Sequence, residues 1–146
     1  MLYIENIKIE RKLPSTVEII VEERKQAYLL EYAGSYVYID KQGYMLEINT
    51  EKLELPIIQG AETLPETFVA GNRLVNEDLE KLVIVYKIME VAQVNEIANL
   101  ITRIDIENEK DLKLIFETEG KTAYIGDINN LITKIPTIKL ILEEEK

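Results

Sequence analysis

Short runs with the two-residue period of β-strands fill residues 4–60, and they restrict the fold more than any other feature of the sequence. TVEIIVEER (16–24) alternates apolar residues with glutamates, as a half-buried strand does. IENIKIE (4–10) is a noisier strand, and Leu13-Pro14-Ser15 is a turn that joins the two. The chain is therefore predicted to begin with two strands joined by a turn.

Three further runs predict an antiparallel meander. AYLLEYA (27–33) and SYVYID (35–40) are separated by a short hairpin connection. Asp40-Lys41-Gln42-Gly43 opens with Asp and closes with Gly, as a tight turn does, and leads into YMLEI (44–48). LELPIIQG (53–60) predicts a short extended stretch that ends at glycine, and its Pro56 favours a sheet edge or an exit from the sheet. Residues 61–75 predict a surface loop.

At Asn76 the period changes to that of a helix. Asn76 can cap, and the acidic residues that follow suit the positive end of a helix dipole. The helix face predicted to be buried consists of Leu79, Leu82, Val83, Tyr86 and Met89. NEIANLIT (95–102) predicts a short second helix, or a single turn of one, that starts at Asn95.

The remaining residues return to strands and then end in a helix. RIDIE (103–107), DLKLIFE (111–117) and KTAYIG (121–126) predict strands. The final segment from Asp127 predicts a helix that contains Pro136, which removes a backbone donor. Its apolar stripe consists of Ile128, Leu131, Ile132, Ile135, Ile138 and Leu142. The predicted fold class is α+β, a mixed or antiparallel β-sheet of short strands with two or three helices packed on it.

The charge balance limits the kinds of partner. The formal net charge is −10, which disfavours nucleic acid and anionic membrane surfaces as main partners. No apolar run has the roughly 18 residues of a membrane span, and no signal peptide opens the chain. We expect the chain as given to be soluble. This expectation also holds if the chain is a piece of a membrane-anchored protein.

The residue inventory offers little catalytic chemistry. Without His, a Ser-His or Cys-His nucleophile pair cannot form, and no glycine-rich phosphate-binding motif occurs. Carboxylates are abundant, so a glycan-binding or glycan-hydrolysing domain is an alternative, but there is no Trp to stack on sugar. The acidic residues between positions 105 and 111 lack the order of a calcium loop. The sequence predicts no catalytic residue, no cofactor and no metal site.

Glu22-Glu23-Arg24 is the most conspicuous charged cluster. It could be a catalytic site, an ion pair at the end of a strand, or the boundary between two modules. Side chains at the end of a strand point alternately towards solvent and sheet, so an ion-paired Arg24 accounts for the cluster without any catalysis.

The order of motifs around this cluster resembles the FtsQ/DivIB cell-division family. YIENIKIERKLPSTVEIIVEER (3–24) resembles the end of that family's POTRA domain, where a strand, an R-x-x-P-x-T turn and a second strand close on V-x-E-R. The matching residues are Arg11, Pro14, Thr16, Val21, Glu23 and Arg24. The family's Ile-Asp-x-x-Gly turn and Leu-Pro-x-x-x-Gly signature match Ile39, Asp40, Gly43, Leu55, Pro56 and Gly60.

The resemblance covers essentially the whole chain, and it implies a domain division. Residues 1–25 would be the C-terminal strands of a partial POTRA-like domain, and 26–146 a β domain of FtsQ/DivIB type. Glu23 and Arg24 would mark the structural junction. Gln26 stands where the family usually has Pro, and the family continues past the last helix with a C-terminal strand that this chain lacks.

The resemblance also implies a function, a location and partners. The expected protein is a non-enzymatic divisome scaffold at the division septum, outside the bacterial plasma membrane, anchored by one membrane helix that is absent here. Its expected partners are FtsB/DivIC-like and FtsL-like proteins, bound by addition of a strand to a sheet edge. The strands at 111–117 and 121–125 are the candidate contact region, with Lys113, Lys121 and Tyr124. These three residues could equally be ordinary surface, and a POTRA-adjacent module of another envelope complex is a further alternative.

Overall fold

A computed structural model describes residues 4–12 and 16–144 of the chain, with side-chain detail from Arg24 to Glu144. The helices are α1 (Asn76–Val94) and α2 (Leu131–Glu144), and single 3₁₀ turns lie at Pro65–Thr67 and Ala98–Leu100. The strands are β1 (Ile4–Lys12), β2 (Thr16–Glu23), β3 (Tyr28–Tyr32), β4 (Ser35–Ile39), β5 (Met45–Asn49), β6 (Ile57–Gln59), β7 (Arg103–Asp105), β8 (Leu112–Phe116) and β9 (Lys121–Gly126).

The strands form two sheets. β1 and β2 pair antiparallel in a two-stranded sheet, and the other strands form a seven-stranded sheet in the order β5-β4-β3-β6-β7-β8-β9. The predicted meander β3-β4-β5 is antiparallel, β6 runs parallel to β3 and β7, and β7-β8-β9 is antiparallel again. This mixed sheet with two α-helices confirms the predicted α+β class. The predicted turn at residues 13–15 lies outside the described residues, and the division at residue 25 stays a prediction.

One face of the large sheet packs against both helices and forms the main core. Alternate residues of each strand point to this side, for example Val37 and Ile39 on β4 and Leu112, Leu114 and Phe116 on β8. The opposite face has a smaller core of Leu29, Tyr38 and Ile57, which is covered by Leu53 and Leu55.

The predicted buried face of α1 was wrong at two positions. Val83 is 55% exposed and Tyr86 is 45% exposed. The residues of α1 that are buried are Asp78, Leu82, Val85, Ile88 and Ala92. The run from residue 82 to residue 85 is apolar all around the helix, so the pattern located the helix but not its inward side.

The start of α1 is capped from a distant loop. Asn76 is the first helical residue, so it is not the cap that the sequence predicted; Val75 occupies the cap position and has no side-chain cap of its own. Instead, Thr63 Oγ1 accepts a hydrogen bond from the Val75 amide at 3.1 Å. The buried Asp78 carboxylate accepts from the amides of Glu62 and Thr63, each at 2.8 Å, and from the Thr63 hydroxyl.

The prediction that Pro56 marks a sheet edge or an exit was wrong. Pro56 directly precedes β6, which lies in the middle of the sheet between β3 and β7. The Pro56 carbonyl accepts from the Leu29 amide at 3.0 Å, so the residue contributes its acceptor and needs no donor there. Gly60 ends the strand with φ +87°, and a Cβ at this position would lie 2.7 Å from the backbone of Glu107.

The last helix starts later than the sequence predicted. Asp127 accepts from the Asn129 amide, and Asn130 has a φ of 61°, so regular helix begins at Leu131. Leu131, Ile135 and Leu142 are buried as predicted, but Ile132 is 81% exposed. Asn95 ends α1 by donating to the Val91 carbonyl, so only the 3₁₀ turn at Ala98–Leu100 remains of the predicted second helix.

Candidate partner-binding site

Of the two strands predicted to lie near a binding site, only one lies at a sheet edge. β8 is hydrogen-bonded on both sides, to β7 and to β9, so residues 111–117 cannot accept an added strand. β9 is the last strand of the seven-stranded sheet. The candidate edge is therefore Lys121–Gly126.

The hydrogen bonds of β8 show which groups of β9 point outward. The Ile115 carbonyl accepts from the Thr102 amide, and the Glu117 amide donates to Thr102 Oγ1, both on the β7 side. Since backbone direction alternates along a strand, Leu114 and Phe116 direct their groups to β9, where they oppose Ala123 and Lys121. The remaining residues, Thr122 and Tyr124, direct their N–H and C=O groups away from the sheet.

Lys113 and Tyr124 meet on the open face of the sheet. They are directly opposite each other on β8 and β9, and Lys113 Nζ lies 5.8 Å from the centroid of the Tyr124 ring. Tyr124 is 73% exposed. Lys113 also approaches Asp111, with 3.9 Å between Nζ and Oδ2. A cation and an exposed aromatic ring therefore lie side by side at the edge.

Lys121 lies on the other side of β9, towards α2. Together with Phe116, Ala123 and residues of α2 it lines a hollow of about 220 Å³. The α2 residues in this hollow are Ile138, Ile141 and Leu142. The hollow is largely apolar and has the size of a side-chain pocket beside the edge strand.

The C-terminal end of β9 is hydrogen-bonded to α2. Lys134 Nζ donates to the carbonyls of Ile125 at 2.7 Å and Asp127 at 3.1 Å. The pKa of Asp127 is lowered, first by the hydrogen bond from the Asn129 amide and also by the positive charge of Lys134. Among the described residues, no backbone group pairs with the outward side of Thr122 or Tyr124, so within these residues the edge is closed near Ile125 and open at Thr122 and Tyr124.

Of the acidic residues between positions 105 and 111, Asp105 is a buried residue of β7, and Glu107, Glu109 and Asp111 lie in the exposed connection to β8. Asp105 Oδ1 accepts from the Glu107 amide at 3.0 Å, and the Asp111 amide donates to the Asn108 carbonyl at 2.9 Å. Glu107, Glu109 and Asp111 line an open surface hollow. Between Arg24 and Glu144, where side chains are described, no group of three or more acidic side chains is arranged to hold a metal ion.

Arg24 is held by the turn between β4 and β5. Its Nη1 donates to Asp40 Oδ2 and to Gln42 Oε1, each at 2.8 Å, and its guanidinium carbon lies 4.1 Å from the centroid of the Tyr44 ring. Asp40 also accepts from the amides of Gln42 and Tyr44, which fixes the predicted turn. Glu23 is the last residue of β2. Arg24 therefore forms an ion pair with the turn between β4 and β5, and its role as a junction stays a prediction.

The ion-pair network around Arg103 has no signal in the sequence. Its guanidinium donates to both carboxylate oxygens of Glu31 and, through Nε at 2.5 Å, to Glu117 Oε1. These hydrogen bonds from Arg103 hold the pKa of Glu31 below its usual value. No local pattern could reveal the contact, because β6 lies between the strands that carry Glu31 and Arg103.

Within residues 4–12 and 16–144, the fold is an α+β sheet domain with one helix-covered face and an edge strand, β9, that pairs with another strand on one side only. Among the described residues, no helix combines the length and hydropathy that a membrane span requires.

Three curated proteins named cell division protein DivIB are similar to this chain. The one from Clostridium acetobutylicum is 29% identical over 136 residues, which are 91% of this chain and 52% of the relative. Those from Clostridium botulinum strains Hall and Loch Maree are 29% and 27% identical over 147 and 146 residues, each covering 99% of this chain and 56% of the relative. The chain spans about half the length of these relatives. No protein-family model matches it. The three similarities support the FtsQ/DivIB family.

Proposed function

We propose that this chain is the partner-binding part of a non-enzymatic scaffold of the cell-division machinery. Its similarity over nearly the whole chain to proteins named for cell division supports a cell-division role. The proposed partners are FtsB/DivIC-like and FtsL-like proteins. The full-length protein would be anchored by one membrane helix and would hold this domain outside the plasma membrane at the septum.

The single observation that carries the binding mode is that β9, among the described strands, pairs on one side only. An exposed edge strand presents unpaired N–H and C=O groups, which another strand can satisfy. On β9 these groups belong to Thr122 and Tyr124, as the alternation of the β8–β9 ladder requires. Main-chain hydrogen bonds of this kind supply affinity without demanding a particular partner sequence.

The side chains around the edge would supply the specificity. A strand added to β9 places alternate side chains on opposite faces of the sheet. On the helix side, an apolar side chain would enter the hollow formed with Ile138 and Ile141. On the open side, an acidic side chain would lie near Lys113 and Tyr124. The partner strand is therefore expected to alternate apolar and acidic residues.

Titration calorimetry tests the proposal directly. The probe is a peptide from the membrane-proximal, extracytoplasmic part of the DivIC-like protein of the same organism, titrated into the chain. We expect saturable binding at one peptide per chain. Thr122→Pro, which removes an outward N–H without breaking the ladder to β8, should weaken it at least about tenfold, the equivalent of roughly 1.4 kcal/mol.

Thr122→Val is the matched control, because it keeps the backbone N–H and the β-branched shape. It should bind as the parent chain does. Absence of binding by the parent chain, or equal binding by the proline variant, would contradict the edge as the contact. Release of product from cell-wall fragments by the chain would contradict the non-enzymatic role.

A further inference from the structure

A second hollow lies at the opposite end of the sheet from β9. It is formed between the turn that joins β4 to β5 and the outer side of α1, and we call it the turn–helix hollow. Its volume is about 400 Å³. It is lined by Lys41, Gln42, Arg73, Leu79, Leu82, Val83 and Tyr86.

The turn–helix hollow has a rigid, apolar wall. Gly43 has a φ of +84° and sits so close to α1 that a Cβ there would collide with the Leu79 side chain. The turn is fixed further by Asp40, whose carboxylate accepts from two amides within it. Val83 and Tyr86 are both largely exposed on this side of α1. These two residues are the ones whose exposure the helical pattern did not predict.

Two cations stand at the rim of this hollow. Arg73 Nε donates to the Gln42 carbonyl at 2.9 Å, and its guanidinium carbon lies 4.7 Å from the centroid of the Tyr44 ring. This contact fixes the guanidinium group and leaves its terminal nitrogens for another acceptor. Neither Arg73 nor the exposed Lys41 forms an ion pair with any residue between Arg24 and Glu144.

The charge of the rim is opposite to that of the molecule. The chain carries a formal net charge of −10, yet the lining of the hollow contains two cations and no carboxylate. Exposed apolar side chains next to unpaired cations fit a ligand that combines an apolar group with negative charge. The net negative charge disfavours an anionic membrane as that ligand, because the rest of the surface would be repelled.

We propose that the turn–helix hollow binds an acidic peptide segment of a partner protein. A leucine or phenylalanine side chain of the segment fills the space between Leu79, Val83 and Tyr86. Flanking carboxylates pair with Lys41 and Arg73. This site is independent of the β9 edge and would allow the domain to contact two segments at once.

The test uses a short synthetic peptide in which leucine and phenylalanine are flanked by glutamates, together with the same peptide carrying lysine in place of glutamate. Amide NMR spectra of the chain should shift at residues 41–43, 73 and 79–86 with the acidic peptide only. Lys41→Gln should weaken binding up to roughly fivefold, the effect of one exposed ion pair. Val83→Asp should weaken binding further, because it places a negative charge in the apolar wall of the hollow.

Lys110→Gln is the matched control, since Lys110 is exposed and lies outside the hollow. It should leave the peptide-induced shifts at residues 41–43, 73 and 79–86 unchanged. Three results would overturn the site: no shift at these amides, an equal response to the lysine peptide, or equal weakening by Lys110→Gln. Binding to phosphatidylglycerol vesicles that depends on Lys41, without peptide binding, would also overturn it in favour of a membrane contact.

Discussion

The two edges of the seven-stranded sheet differ in how far they are closed. At β5, the Met45 amide donates to the Asn72 carbonyl and the Met45 carbonyl accepts from the Gly71 amide, each at 2.8 Å. The loop at residues 71–72 thus covers the start of that edge. At β9, Lys134 donates to the Ile125 carbonyl, and the outward groups of Thr122 and Tyr124 have no backbone partner among the described residues.

The edges also differ in the charge around them. β5 carries Glu47 and is followed by Glu51, whereas β9 carries Lys121 and adjoins Lys113. In a molecule with a net charge of −10, a cationic and partly open edge favours an acidic strand at β9 and disfavours one at β5. This difference supports β9 as the proposed binding edge, and altering each edge separately tests it.

The largest effect is expected from the residue that anchors the loop region preceding α1. Asp78→Ala leaves the amides of Glu62 and Thr63 without their acceptor, the second of them buried, and should lower the free energy of unfolding by about 3 kcal/mol. Urea denaturation measures the loss. Hydrogen exchange should show that the amides of Met45 and Gly71 lose more protection than those of β8.

Asp78→Asn is the control for that experiment. It keeps one side-chain acceptor and the shape of the residue, so its effect should be clearly smaller than that of Asp78→Ala. A loss below about 1 kcal/mol for the alanine variant would show that the loop does not depend on this carboxylate.

Loss of the Arg24 ion pair should destabilise the side of the sheet at β5 and should not affect the edge at β9. Its side chain is 15% exposed and pairs with Asp40, which is 4% exposed. Arg24→Gln should lower the free energy of unfolding by about 2 kcal/mol, since the buried carboxylate loses its charged partner. Arg24→Lys should recover part of this loss, as it restores charge without the stacking on Tyr44. Unchanged stability in both variants would exclude a structural role for the ion pair.

Proline placed on each edge compares the two directly. The Ile39 carbonyl accepts from the Ala27 amide and therefore points away from β5. Because backbone direction alternates along each strand, the N–H and C=O groups of Ile48 on β5 point outward from the sheet. Thr122→Pro should therefore weaken binding of the DivIC-like peptide at least about tenfold, whereas Ile48→Pro should leave it unchanged. Equal weakening by both variants would show that the edges are not distinct.

Much of the fold follows from the sequence because strand and turn signals are local. The meander from Tyr28 to Asn49 and its turn at Asp40 were predicted from alternation and from the Asp and Gly positions. Strand order is not local. β6 lies between β3 and β7, where Ile57 is paired with Leu29 on one side and with Arg103 on the other. Nothing in LELPIIQG indicates this position.

The site was predictable only in part, for the same reason. The pattern located the strands that carry Lys113, Lys121 and Tyr124, but the edge position of β9 depends on pairings across the whole sheet. The prediction of the buried helix face was wrong where apolar residues occur on all sides of the helix, as at Val83 on α1 and Ile132 on α2. Which of two equally apolar sides is buried depends on the tertiary packing and not on the period.

The smallest effect is expected in the middle of the sheet, between the two edges. Arg103→Met removes the hydrogen bonds that lower the pKa of Glu31, so that pKa should rise towards its ordinary value. A lowered folded pKa stabilises the chain above the unfolded pKa, and this contribution is lost as the pH falls through the folded value. The stability difference between parent and variant should therefore shrink in acid. Carboxyl NMR titration measures the shift, and an unchanged Glu31 pKa would contradict the ion pair.

Hydrogen exchange of the complex is the most direct test of the account. The chain is compared with and without a saturating amount of the DivIC-like peptide, and the amides of Thr122, Tyr124 and Ile48 are followed. An added strand at β9 should slow exchange at Thr122 and Tyr124 and leave Ile48 unchanged. Protection at Ile48, or no change at Thr122 and Tyr124 while the peptide is bound, would contradict the proposal that β9 is the binding edge.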